Sequence, residues 1–437
     1  MKETDLTYTM PDLAPELLTG PDWLSRQRLS LRETFNSLPL PRRGLQLWRY
    51  TDPARFMVGA TSHTISTNGK FESTKDAEMK NLAEGHLSGL ITDIAGQEIA
   101  VHGLEDAVKA GLLAMSLADA VKTHPALVEP HLYSLVNAQT GKFEAMNGAL
   151  WQDGIFIHVP DGLVFDKPIH LLRQIGGAGS ADFPRLLVVV GKNAEITLID
   201  EYGGGPGDES SGFAYANGVV EIAADQDSRT RYVSLQRLAA GARFYQTHRA
   251  RIGRGAQMLT VPLAFGGSLS KQNFGVILDG PGAESRMSGL LFGSGRQHLD
   301  NHTLHHHASG QTRSYIDFKV VLRDKALSAY TGLIRIEKSA RGCEAYQENR
   351  NLLLTDGARA ETIPELEILN EDVSCSHGAT IGPIDPQLVF YLKSRGIHER
   401  EAVRMVVSGF VANTLKQVPD NIREQVAAFV DERLESL

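Results

Sequence analysis

The sequence predicts a mainly β protein with helical regions at both ends, and three observations predict it. Between about residues 146 and 382, short β-rich runs follow one another with no helical stripe among them. Glycine breaks recur in that zone: Gly253/Gly255, Gly266/Gly267, Gly280/Gly282, Gly293/Gly295 and Gly310 lie 13 to 17 residues apart, counted from the first of each pair. Apolar residues at helical spacing are confined to residues 1–145 and 383–437. Regular strand-and-turn spacing means a sandwich, a barrel or a solenoid. Over two hundred residues of it leave a stacked β-helix or two successive sandwiches.

The first zone, 1–145, reads as mostly helical. Asp22 is placed to cap a helix carrying Leu24, Leu31, Phe35 and Leu38, which Pro39 and Pro41 stop. A second helical stretch is expected from about Leu104 to Val136, broken by Pro125 and Pro130. The middle zone, 146–382, holds the strand candidates: IFIHV at 155–159, LLVVV at 186–190, AEITLI at 194–199, GVVEIA at 218–223, RYVSL at 231–235, DFKVVL at 317–322 and GLIRIE at 332–337. In the last zone, 383–437, Val403, Val406, Val407, Phe410, Val411 and Leu415 follow the i, i+3, i+4, i+7 pattern. Pro419 breaks that run. Ile422, Val426, Phe429, Val430 and Leu434 then repeat it. Such stripes usually pack inward. With only the end of a solenoid to pack on, an exposed remainder would need a partner.

Composition narrows the function. Of 437 residues, 42% are apolar, enough for a large core, and the formal charge is −8 with a pI near 6.0. Nucleic-acid binding usually leaves a basic footprint, which this chain lacks. Two cysteines, Cys343 and Cys375, supply neither a disulfide framework nor the four thiolates of a self-contained iron–sulfur site. They point to a reducing compartment. The N-terminal stretch has no apolar core of a secretory signal, and no apolar run reaches membrane-spanning length. A cytoplasmic protein is expected. There is no GxxxxGK[ST] loop, no GxSxG and no HExxH, and the glycine clusters at 176–179 and 203–207 miss dinucleotide-binding spacing.

Two local concentrations could carry chemistry. Five histidines, His298, His302, His305, His306 and His307, fall within ten positions. On a strand, His305 and His307 share one face and His306 takes the other. A rung of hydrogen-bonded imidazoles is the favoured reading, and metal ligation the sharper one. Second, Cys375 and His377 lie two apart, on one face of an extended segment, where a thiol and an imidazole can ligate a metal. Two ligands do not complete a site, so a second chain would have to supply the rest.

At this point the residues match a known family. CSHGATIGPIDPQLVFYLKSRGI (375–397) with EAVRMVVSGF (401–410) resembles the C-terminal signature of the SufB/SufD family of iron–sulfur cluster assembly proteins. ETIPELEI (361–368), AYQENRNLLLTDGA (345–358), the segment from His307 to Ser314, FEAMNGALWQDGIFIHVPDG (143–162) and LWRYTD (47–52) resemble further family segments, although Gly310 stands where the family has proline. Where SufB carries a cysteine this chain has Ala358, and where SufB has His-Glu it has His377-Gly378. That pattern is similar to the SufD branch. Cys343, where the family more often has threonine, reads as a small buried strand residue.

The resemblance implies a right-handed parallel β-helix core between N- and C-terminal helical regions. It implies a non-enzymatic scaffold that pairs with a SufB-like paralogue and docks a SufC-like ATPase through its C-terminal helices, with Arg404, Val407, Phe410 and Val411 expected at that contact. It implies a transient Fe-S cluster at the SufB–SufD interface. His377 is the candidate ligand, Cys375 lies close by, and no cluster is held stably by the chain alone. Pairing with a second copy is expected when the paralogue is missing; neither nucleic acid nor membrane is expected as a partner. The competing readings are a metal protein built on the histidine cluster and a carbohydrate-active β-helix enzyme using Glu365 and Glu367.

Overall fold

A computed structural model describes residues 15, 20–57, 72–95, 97–205 and 213–435. The N-terminal stretch through residue 14 and the glycines' neighbours at 206–212 lie outside the described residues. The N-terminal part comprises α1 (Asp22–Ser37), α2 (Glu72–Ala83), β1 (Gly89–Ile94), β2 (Ala100–His102), α3 (Glu105–Lys109), β3 (Leu113–Ser116), α4 (Leu117–Thr123), α5 (Pro125–Val128) and α6 (Lys142–Leu150). Strands β4 (Gly154–Val159), β5 (Ile169–Ile175), β6 (Ala181–Asp182), β7 (Arg185–Val190) and β8 (Glu195–Gly204) follow. The regular body is β9 (Ala214–Ala224), β10 (Arg229–Gln236), β11 (Ala242–Ile252), β12 (Gln257–Ala264), β13 (Leu269–Leu278), β14 (Glu284–Gly293), β15 (His298–His307), β16 (Arg313–Leu322), β17 (Leu327–Ile336), β18 (Cys343–Leu353), β19 (Arg359–Ile368) and β20 (Val373–Pro383). Helices α7 (Pro386–Ser394), α8 (Glu399–Leu415) and α9 (Asp420–Glu435) close the chain.

From β8 on, consecutive strands go alternately to two sheets. Sheet A runs β2-β1-β5-β8-β10-β12-β14-β16-β18-β20 and sheet B runs β19-β17-β15-β13-β11-β9-β7-β4-β3. Apart from the β1–β2 and β3–β4 pairs, the pairings are parallel. The molecule is therefore a parallel β-solenoid, as expected. In sheet A the register steps from Arg229 to Gln257, Glu284, Arg313, Glu344 and Ser374, that is by 28, 27, 29, 31 and 30 residues. The 13-to-17-residue glycine spacing is thus half a coil. Each break is one change of sheet. Gly255 (φ 64°) and Gly267 (φ 74°), at successive turns, take left-handed backbone that a side chain would strain.

Inward side chains from both sheets fill the lumen. Ile157, Val188, Leu198, Val220, Ile222, Phe274, Val276, Ile316 and Phe318 belong to one continuous apolar core. Helices α1, α4, α5 and α6 lie on the outer face of sheet B, where Trp48, Phe56, Phe143 and Trp151 pack with Tyr215 and Tyr245. Helices α8 and α9 lie along the outer face of sheet A, against Val233, Val261, Leu290 and Val321. The C-terminal stripe therefore covers the solenoid's flank rather than its end, because sheet A offers an apolar face many strands long.

Three further differences concern local elements. Asp22 is the first helical residue of α1 and makes no side-chain cap bond; Pro21 stands at the N-cap. Strands β1, β2 and β3 lie inside the zone read as mostly helical, and β1 is already part of sheet A. The helical stretch expected from Leu104 to Val136 is instead α3, β3, α4 and α5.

Candidate functional site: the open edge and the buried carboxylates

Among the described residues, each sheet ends on a long strand with a free side: β19 in sheet B and β20 in sheet A. On β18 the odd-numbered positions Cys343, Ala345, Gln347 and Asn349 are buried, and opposite them on β20 stand Val373, Cys375, His377 and Ala379. Cys375 and His377 thus continue an inward-facing row. No later coil covers that row, so Cys375 is half-buried and His377 exposed. The structure brings the two onto one face of β20, as the spacing requires.

Cys375 rests against the small apolar cluster of Ile334, Ile336, Ala340 and Cys343. Burial, with Cys343 alongside, pushes its thiol up from the usual value. A metal taking Cys375 must therefore displace a proton. Cys343 is buried, its Sγ 3.3 Å from Thr312 Oγ1 and near the Ser309 and Ala340 carbonyls, as befits a small strand residue.

The five histidines form hydrogen-bonded rungs. His305 and His307 point into the lumen: His305 Nε2 lies 3.0 Å from Ser285 Oγ, and His307 bridges Thr312 Oγ1 (2.7 Å) and Ser314 Oγ (2.9 Å). His306, on the other face, lies 2.8 Å from Glu337 Oε1. His298 and His302 sit beneath the N-terminal segment, His298 3.1 Å from Thr51 Oγ1 and His302 3.1 Å from Asp300 Oδ1. Lys271 donates to Asp300 Oδ2 (2.8 Å) and to the Leu47 carbonyl (2.6 Å), which ties the segment around Trp48 to sheet B. The bonding partners of the five differ, and the cluster does not converge on one point. Of the two carboxylates weighed for carbohydrate chemistry, Glu367 lies 3.7 Å from Arg335.

The four residues expected at an ATPase contact are placed differently from one another. Val407 and Val411 are fully buried against sheet A, because α8 turns that side of its stripe inward. They are corrected from contact residues to core residues. Phe410 is half-buried beside the same cluster, and Arg404 is partly exposed between Glu401 (3.6 Å) and Asp431 (3.4 Å). The apolar side chains that do face outward are Leu388, Phe390 and Tyr391 of α7 and Met405 of α8; Phe390 is 73% exposed.

Sequence reasoning missed one constellation altogether. On the outer face of sheet A, His170 of β5 lies between Glu78 of α2 and Glu201 of β8. Its Nδ1 is 3.0 Å from Glu78 Oε2 and its Nε2 2.9 Å from Glu201 Oε2. Burial alone would keep the ring neutral, but Glu201 and Glu78 outweigh it and carry the imidazolium up to about 9. Residues 78, 170 and 201 are far apart in the chain. The pairing of β5 with β8, Leu172 opposite Glu201, is what brings the last two together.

Comparison with known proteins gives two family matches. Residues 173–410 match the model described as "SUF system FeS cluster assembly, SufBD core domain", and residues 19–171 match the "SufBD protein N-terminal region". An "Iron-sulfur cluster assembly SufBD family protein" of Staphylococcus epidermidis is 26% identical over 424 residues, covering 95% of this chain and 90% of that protein. The "Iron-sulfur cluster assembly protein SufB" of Bacillus subtilis is 25% identical over the same length and coverage.

Proposed function

Because the chain belongs to the SufBD family of iron–sulfur cluster assembly proteins, we propose that it is the SufD-type scaffold subunit, pairing with a SufB-like paralogue and a SufC-like ATPase. One observation carries the reading. A thiol and an imidazole, Cys375 and His377, stand on one face of the free terminal strand of a sheet, and in this reading they are half of a ligand set. A strand added along the free edge of β20 would gain main-chain hydrogen bonds and bring its own side chains beside them. The nascent cluster is then cargo, held by ligands from two chains and released when they part. Ala358 and Gly378, standing where SufB has cysteine and glutamate, support the SufD-type assignment.

The ATPase contact is drawn from α7 and the exposed side of α8: Leu388, Phe390, Tyr391 and Met405, rimmed by Arg404, Glu401 and Lys393. An apolar centre inside a charged rim is the usual anatomy of such a contact. In this reading the chain has no catalytic activity, works in the cytoplasm, and pairs with a second copy through the same edge when the paralogue is missing. No helix among the described residues is long and apolar enough to cross a membrane.

Co-expression with a SufB-like and a SufC-like partner, followed by gel filtration and anaerobic reconstitution, tests the proposal. The three chains should co-elute and take up a cluster, whereas this chain alone should not. A stable, stoichiometric cluster on the isolated chain would sink it.

A further inference from the structure

Helix α2 docks in an unusual way. Among its described side chains, only Glu78 is buried, and it is a carboxylate. A helix normally seats an apolar stripe. Here the anchor is a charge, aimed at a second buried carboxylate, Glu201, with the imidazole of His170 in reach of both. The side chains of His170 and Glu201 are 0% exposed and that of Glu78 is 4% exposed. One ligand-competent atom from each of the three lies within 4.8 Å of the others.

We propose that Glu78, His170 and Glu201 form a binding site for a divalent first-row transition-metal ion, seated between sheet A and α2. One imidazole nitrogen with two carboxylate oxygens is a donor set that suits Zn²⁺, Fe²⁺ and Mn²⁺ and disfavours the thiophilic Cu⁺. Both carboxylates are oriented from outside, as metal-binding carboxylates usually are. Asn81 Nδ2 donates to Glu78 Oε2 (3.1 Å), and the Arg237 guanidinium donates to Glu201 Oε1. The two carboxylates carry the double negative charge that balances a dication, while the Arg237 guanidinium beside Glu201 adds one positive charge to the surroundings. The exchange balances: the imidazolium releases one proton to solvent, and the freed nitrogen lone pair goes to the ion. Glu78 and Glu201 meet opposite ring nitrogens, so an ion on one nitrogen draws the far carboxylate toward it, and α2, which carries Glu78, must lift for entry. The site lies on the flank of the solenoid, away from Cys375 and His377, and does not depend on the scaffold reading.

The full chain, stripped with a chelator, should be titrated with Mn²⁺ while free Mn²⁺ is followed by electron paramagnetic resonance, with Zn²⁺ as competitor. One ion should bind per chain and be displaced by Zn²⁺. Glu78→Gln, which keeps the side-chain shape, should weaken binding at least about tenfold, since even an outer-shell change costs that much. His377→Ala should leave it unchanged, which separates this site from the edge. Absence of saturable uptake, or uptake untouched by Glu78→Gln, overturns the site and leaves the trio as an ion-paired clamp on α2. Should Glu78→Gln not fold, crystals of the unaltered chain soaked in Zn²⁺ decide the matter. An anomalous peak among the three side chains supports the proposal, and a peak elsewhere or none overturns it.

Discussion

At the scale of single residues, exposure separates function from packing. His377 has lost the covering coil that buries its counterparts on earlier strands, so its ring contributes little to the core. His377→Ala is expected to leave stability within about 0.5 kcal/mol while impairing activation of cluster-dependent enzymes in cells. Thermal melting alongside an in-cell cluster-enzyme assay checks both halves. A loss of several kcal/mol would make His377 a structural residue instead. Cys375→Ser should have a smaller or conditional effect, because the hydroxyl nearly matches the thiol in volume and the site stays half-buried. The pair was legible in the sequence because two-residue spacing on a strand is local. Glu78, His170 and Glu201 were not, because their proximity depends on the β5–β8 register and on where α2 lies, and neither is written in any short window.

At the scale of elements, the C-terminal helices show what a periodic stripe does and does not reveal. Ile422, Val426, Val430 and Leu434 of α9 recur at helical spacing and are all buried, as their pattern requires. The stripe of α8 was equally legible, but its periodicity says only that one side is apolar, not which body it meets. The same holds for the strands: their existence was readable, yet coil steps varying from 27 to 31 residues hide the stacking from any fixed-period reading. Ile422→Ala is expected to cost about 2–5 kcal/mol in denaturant unfolding, since the side chain is fully buried. Phe390→Ala should leave the same unfolding curve within about 0.5 kcal/mol and reduce capture of a SufC-like ATPase in a pull-down. If Phe390→Ala binds the ATPase at full affinity, α7 is not the contact. Cutting the chain near residue 384 is a poor substitute for these point changes. It would strip α8 and α9 from Val233, Val261, Leu290 and Val321, exposing an apolar sheet face.

At the scale of the whole molecule, buried neutral histidines set the acid limit. Burial pushes His248 and His305 down to about 3 and His298 and His307 down to about 4. In the unfolded chain each takes a proton near the ordinary histidine value of about 6.5. Their contribution is therefore fully present above that pH and is lost as pH falls toward 4. Each imidazole contributes up to about 2 kcal/mol of this loss at pH 5. The raised His170 gains stability as pH falls to about 6.5, so urea midpoints should fall steadily only from about pH 6.5 down to 5, with a shallower slope in His305→Gln. A flat profile would mean that these rings are protonated, or hydrated, in the folded chain.

The two ends of the solenoid differ in a way that limits how large an assembly can grow. At its start, the short antiparallel strands β2 and β3, three and four residues long, terminate both parallel stacks. At its finish, β19 and β20 are ten and eleven residues long and free along one side. A stack with two adhesive ends would polymerise. This one has a single adhesive end, so joining two such ends consumes both and leaves the opposite, blunted ends facing outward. Sedimentation across a wide concentration range should accordingly stop at two solenoids per particle, whether the second is the paralogue or another copy. The fold thus counts to two by geometry, and any site lined by residues of both joined edges would exist only in the finished pair.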